Sequence, residues 1–365
     1  MFLINKGRYY QDNEIIYSDV YGRGIYKWTG RMVEDPLGVN EGRVSPLLEN
    51  METGEIFFMK WIYEYSKQAE HVRKVKNPPD RKDILWPCDL IRVEDENQLK
   101  CDLTVDQIYS YSHKESREHH GFAVLFPYGG YPVCEDGVRY LSHIGKKNWK
   151  NEKIRNMVIQ IAERIKNIND NGYLYLDFHL SRMFFRENGE LFLNYSNLAL
   201  PFFRTEKETL DTNCQYRPEI GIYPVEFAEP AIIQEKQKYF DYRSQNYSMA
   251  AMFFFLLFGR YAYDGRLMDG YMDDTEREHY EKFRDYHKMP VFIFDSKDTT
   301  NALGTFADEQ VILNTWHEAP EELRNMFLAV LCQENAQRIG NNQTFTPAQW
   351  LECFIRLGWH EEKTQ

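Results

Sequence analysis

The sequence predicts an α+β chain of two lobes, a small antiparallel β-rich N-lobe followed by a large, mainly helical C-lobe. Three observations carry this. Through residue 128 the apolar residues fall in short, aromatic-rich runs bounded by turn residues, as strands do. "PYGGYP" at 127–132 then breaks the chain with prolines and glycines. Beyond it, Ile154, Met157, Val158, Ile161, Ala162, Ile165 and Ile168 step by three and four, the period of an amphipathic helix.

Taken in order, "EIIYSDVYGRGIYKWTG" reads as a hairpin around Gly22 and Gly24. "GRVSPLLENMETGEIFFMKWIYEY" reads as strand, turn at Thr53-Gly54, strand. "SKQAEHVRKVKN" is a polar helix ended by Pro78-Pro79. "DILWPCDLIRVED" and "HGFAVLFPY" are two further strands, and residues 98–118 between them form an insertion without a strong period. The long amphipathic helix ends near Asn171-Gly172. Met183–Phe185 and Leu191–Leu193 then flank Arg186-Glu187-Asn188-Gly189, a hairpin with Asn-Gly at its tip. An apolar helix follows at 245–258, then a polar loop to residue 315, then the helix "APEELRNMFLAVL". The last helix, "TPAQWLECFIRL", has Thr346 as its cap and Pro347 in its first turn.

Composition narrows the function classes. The 365 residues suffice for two lobes with cores of their own, and 43% apolar with 27% charged is globular composition. A net charge of −12 argues against a phosphate backbone as partner, so no nucleic acid is expected. The six cysteines are scattered and show no zinc spacing; reduced thiols are expected. "MFLINKGRYYQ" lacks a signal-peptide core, and the longest apolar run, "MAAMFFFLLF", is too short to span a bilayer. A soluble, cytoplasmic chain with no membrane partner is the expectation.

Several short motifs carry chemistry. "LGVNEGRV" holds Gly38 and Gly42-Arg43-Val44, glycines that let backbone N–H groups approach phosphates, although an ordinary turn fits the same residues. Lys60 in "FFMKW" sits on an apolar strand and needs an anion, either a phosphate or a carboxylate. Glu70 is the first choice of carboxylate and Glu64 the second. "YLDFHLSR" places Asp177 ahead of the hairpin and Arg182 five residues on; Asn194, in "LNYSNLAL", follows the second strand.

In this order the motifs resemble those of the protein kinase fold, over residues 37–356. Residues 1–36 are then an N-terminal β-hairpin extension, 37–128 the N-lobe and 129–365 the C-lobe, with the hinge at Pro127–Gly130. "YHKMPVFIFDSKDTTN" further resembles a bacterial kinase-like group. By this resemblance Lys60 is the phosphate-pairing lysine, with Glu70 as its helix partner. Asp177 stands at the catalytic base, with Tyr175 and Leu176 in place of the histidine and arginine before it. "VEFAEP" resembles the APE motif, with Glu229 or Glu226 as its acid and Arg338 as that acid's partner. Gln245 replaces the aspartate that anchors the catalytic-loop backbone.

Two substitutions decide the chemistry this resemblance implies. Arg182 occupies the place of a metal-binding asparagine, and Asn194 that of the metal-binding aspartate, with Asn197 as the nearest substitute if the register slips. Mg²⁺ prefers carboxylate and phosphate oxygens, and a guanidinium near it repels it. The sequence therefore predicts no resident metal. It predicts a pseudokinase, a bacterial kinase-like binding, scaffolding or regulatory module whose partner is another protein. ATP is a further ligand, held by Gly38, Gly42, Lys60, Arg182 and Asn194 without strong Mg²⁺ dependence. The alternative is an atypical active Ser/Thr kinase with Asp177 as base and Arg182 and Lys60 clamping the phosphates.

Overall fold

The computed structural model describes residues 2–4, 8–10, 15–17, 25–34, 44–62, 74–75, 78–79, 84–92, 122–128, 134–145, 147–175, 178–194, 225–236, 240–271, 282, 284–304, 306–332 and 343–360. It is a mixed α+β structure and divides into two compact units. The first comprises Met1–Cys134 with Phe192–Leu198, and the second Glu135–Leu191 with Ala199–Gln365.

The first unit is built on strands. A small ribbon pairs β1 (Phe2–Ile4) with β2 (Arg8–Tyr10). The main sheet contains β3 (Ile15–Tyr17), β4 (Ile25–Glu34), β5 (Val44–Asn50), β6 (Ile56–Ile62), β8 (Asp89–Arg92) and β9 (Phe122–Pro127). Its order is β3-β4-β5-β6-β9-β8, with every neighbouring pair antiparallel. The expected hairpin is β3–β4, and β4 goes on to pair with β5, so the segment read as an N-terminal extension supplies two strands of this sheet. Gly54 takes φ +71° at the β5–β6 turn, where Asn50 Oδ1 accepts from the N–H groups of Glu52 and Thr53. Leu47, Leu48, Phe58, Val124, Leu125 and Phe126 are all buried, and since successive strand residues alternate faces the sheet is covered on both sides there; Phe58 stacks on Phe126 at 5.2 Å.

One expected strand is two. "DILWPCDLIRVED" breaks at Trp86-Pro87-Cys88, leaving β7 (Ile84–Leu85) outside the main sheet and β8 within it. Proline lacks the N–H that a continuous strand would donate at that point. β7 pairs in parallel with Leu193 and Asn194 of β12 (Leu191–Asn194). Of the polar helix expected before it, Lys74 and Val75 are described, and both are helical.

The second unit is mainly helical. After β10 (Cys134–Asp136) comes α1 (Gly137–Ile144), then α2 (Glu152–Asp170), β11 (Met183–Arg186), α3 (Pro230–Ile233), α4 (Tyr242–Phe258), α5 (Ala307–Glu318), α6 (Glu321–Leu331) and α7 (Pro347–Arg356). α2 buries the seven residues of the expected stripe, and Asn151 caps it through Lys153 N–H. α4 is apolar around almost its whole circumference and is buried accordingly. Asp241 caps its start, and Gly259, at φ +76°, ends it. Around α4 lie Phe292, Trp316, Phe327 and Trp350. α7 begins in a reciprocal capping box between Thr346 and Gln349.

Two helices differ from expectation. The loop expected to run to residue 315 contains α5, whose first turn is held by Glu309 accepting from Gly304 and Phe306 N–H. α1 was not expected at all; Asp136 caps it by accepting from Val138 and Arg139 N–H. Among the described residues, no helix is long and apolar enough to cross a membrane, and Cys88, Cys332 and Cys353 form no disulfide.

Candidate functional site

The stretch expected to carry the catalytic acid lies in the second unit, between the end of α2 and the start of β11. Its approach is fixed from beneath by an uncharged network. Gln245, on α4, is fully buried, and its Oε1 accepts from the Tyr175 N–H at 2.8 Å and from Asn169 Nδ2 at 2.9 Å. Its Nε2 donates back to Asn169 Oδ1 at 2.9 Å, and Asn169 Nδ2 also donates to the Tyr173 carbonyl at 2.8 Å. Two amides thus pair reciprocally and hold both ends of Tyr173–Tyr175. A carboxylate could accept here but not donate, and as an ion it would carry a desolvation cost that the amide avoids.

Beyond Phe178 the chain makes a 3₁₀ turn, Leu180–Arg182. His179 Nδ1 accepts from the Ser181 N–H at 3.1 Å, and the Ser181 hydroxyl lies 2.6 Å from the same nitrogen. A backbone N–H can only donate, so the neutral ring carries its proton on Nε2. Partial desolvation, and then the Arg182 cation, hold the pKa of this exposed ring below the usual histidine range. Residues i and i+3 eclipse in such a turn, which puts His179 and Arg182 on one side of it.

α1 holds this turn from outside. At Gly137 an added Cβ would come within 2.7 Å of the Leu180 carbonyl oxygen and 3.4 Å of that of Met183, so only glycine permits this approach. Tyr140 stacks on Phe185 at 4.2 Å. The following turn is latched by Gln160 of α2, whose Nε2 donates to the Gly189 carbonyl at 3.1 Å and whose Oε1 accepts from Leu191 N–H at 2.7 Å. Gly189 takes φ +83°, as an Asn-Gly tip requires.

The remaining expected residues are placed unevenly. Lys60 lies on β6 opposite Val124, and Asn194 ends β12 opposite Leu85; both are described in the backbone alone. Gly38, Gly42, Glu64, Glu70, Leu176, Asp177, Asn197 and Arg338 lie outside the described residues, as do Gly129 and Gly130 of the expected hinge. The structure therefore brings together Tyr175, Gln245 and the Arg182 turn within one unit. His179, Asn169 and Gln160 join them there, and the sequence reading had not singled these out. A polar residue at a period position of a helix, as Gln160 and Asn169 are on α2, was the available signal.

Glu229, read as the acid of the APE-like segment, is buried. Its oxygens accept from Arg243 at 2.8 Å and from the Ser244 hydroxyl at 2.9 Å. Burial pushes its pKa up, and Arg243 and Ser244 oppose that rise. Glu226 is also raised, again by burial, with a backbone hydrogen bond as the opposing effect.

Among the described residues, no three His, Cys, Asp or Glu side chains converge as metal ligands. No family model matches the chain, and no curated protein matches it at a significant level.

Proposed function

We propose that the protein is a kinase-like module with impaired Mg-ATP chemistry, a pseudokinase that works by binding a protein partner rather than by transferring phosphate. The observation that carries this reading is the anchoring of Tyr175 on the central helix through Gln245, with Arg182 closing the turn that follows. Tyr175, two residues before the expected catalytic acid, is held in place there, yet the residue five positions after Asp177 is a cation. The sheet of the first unit supports the same reading. The glycine-containing segment joins β4 to β5, which makes β6, the strand of Lys60, the third of the series, and kinases carry their phosphate-pairing lysine on a third strand. Glu229 adds to it as a buried, paired acid in the APE-like segment.

Without metal ligands, positive charge must come from side chains. Arg182 can bond two phosphate oxygens at once, which makes it the residue to take the place of a metal ion. Calorimetry with ATP, in Mg²⁺ and then in EDTA, tests this on the native protein and on Arg182→Asn. Equal or weaker binding in Mg²⁺ is expected, with a loss of affinity in the variant. Tighter binding in Mg²⁺ would overturn the reading, and so would autophosphorylation that Asp177→Asn abolishes, which would establish the atypical kinase instead.

A further inference from the structure

The Leu180–Arg182 turn holds a hydroxyl and an imidazole in contact. Phe178, Leu180 and Met183 are buried and fix its backbone, and Arg182 N–H closes it onto the His179 carbonyl at 2.9 Å. His179 is exposed and Ser181 half-exposed, so solutes reach both. The ring Nδ1 accepts from Ser181 N–H at 3.1 Å, and Ser181 Oγ lies 2.6 Å from the same nitrogen. Because that N–H can only donate, Nδ1 carries a lone pair, and the hydroxyl is left as the donor of the second bond. The Oγ proton therefore points at a base. Ser142 is the contrast: its hydroxyl donates at 2.6 Å to the Arg139 carbonyl, an oxygen too weakly basic to take the proton.

We propose that Ser181 is a nucleophile with His179 Nδ1 as its general base, and that the pair takes the acyl group of small activated carboxylic esters. A serine hydroxyl is a weak nucleophile by itself and is activated by a base within hydrogen-bond reach, the distance seen here. In the reaction Nδ1 takes the Oγ proton as Oγ attacks the ester carbonyl carbon. The bond to the leaving oxygen then breaks, that oxygen keeps the electron pair, and the Nδ1 proton passes to it. Arg182 is near enough to act on the ring, and its charge favours the oxyanion formed in between. Water, giving its proton to the same Nδ1, then attacks the acyl-serine, and the hydroxyl is restored. The net change is ester plus water to acid plus alcohol. The inference does not depend on the kinase reading or on how nucleotides bind.

The test treats the intact native protein with diisopropyl fluorophosphate, which leaves a stable adduct on a nucleophilic serine, and maps the modified serines by mass spectrometry. Ser142, exposed on α1, is the internal reference. A positioned base contributes about 10²–10⁴ in rate, so Ser181 should react at least about a hundredfold faster than Ser142. In parallel, p-nitrophenyl acetate should release p-nitrophenolate faster with the native protein than with Ser181→Ala. His179→Asn keeps an acceptor for Ser181 N–H, as asparagine does at a helix cap, but removes the base. This variant should unfold at the native urea midpoint and lose about a hundredfold in Ser181 modification. Equal modification of Ser181 and Ser142 would overturn the proposal. So would a His179→Asn protein that reacts like the native one, since the imidazole would then be a cap alone. Ester cleavage undiminished in Ser181→Ala would also overturn it, because the imidazole would then be attacking the ester directly.

Discussion

At Gln245 both hydrogen-bonding ends of one side chain are used, and the partner amide of Asn169 uses both of its own. Replacing Gln245 with leucine would leave the Tyr175 N–H and part of the Asn169 amide buried without partners. Each orphaned group costs about 1–3 kcal/mol, so the loss should reach about 2–6 kcal/mol in urea unfolding. Glu226 is the opposite case, a carboxyl that burial keeps protonated above the ordinary glutamate value of 4.5. A raised folded-state pKa means full stability below the unfolded pKa and a loss as pH rises through the folded one. Glu226→Gln should therefore raise the melting temperature at pH 7 and leave it unchanged at pH 4. A variant equally stabilised at both values would show that packing, not ionisation, is responsible.

Among the elements, the contact of α1 with the Leu180–Arg182 turn is the most exacting. Gly137→Ala forces a Cβ against a backbone carbonyl, which cannot rotate away as a side chain could. The expected loss is about 1–3 kcal/mol in stability, as for other overpacked sites. If Arg182 holds nucleotide as proposed, the same variant should also weaken that binding, whereas a surface change such as Val138→Ala should do neither. Which elements were legible follows from the same local physics. The stripe of α2 and the Asn-Gly tip each announce themselves within a few residues. α1 escaped because only Gly137 and Leu141 of its eight residues are buried, too few to set a period. α5 escaped for a similar reason, with Glu309, Thr315 and Trp316 buried among polar neighbours. The strand break at Pro87 was visible as a proline, but only the parallel pairing of β7 with β12, distant in sequence, explains what the break is for. In the candidate site, Gln245 and Arg182 could be read as substitutions. The His179–Ser181 pairing could not, since it depends on the dihedral angles of the turn.

For the whole molecule, the division into units follows contacts rather than chain order. The first unit takes back Phe192–Leu198 after the chain has left it at Cys134. Leu193 and Asn194 are the parallel partners of Ile84 and Leu85, and both residues of β7 are buried. A fragment ending at Cys134 would therefore keep the six-stranded sheet but leave β7 with an open edge and exposed apolar side chains. Open edges of this kind template association between chains. The fragment 1–134 expressed alone should bind a hydrophobic dye and self-associate, measured by light scattering. Supplying residues 135–365 in trans should restore a soluble, cooperative fold, since that piece contains β12. A fragment 1–134 that is monomeric and unfolds cooperatively alone would show that β12 is dispensable to the first unit, and that its boundary belongs at the end of the sheet.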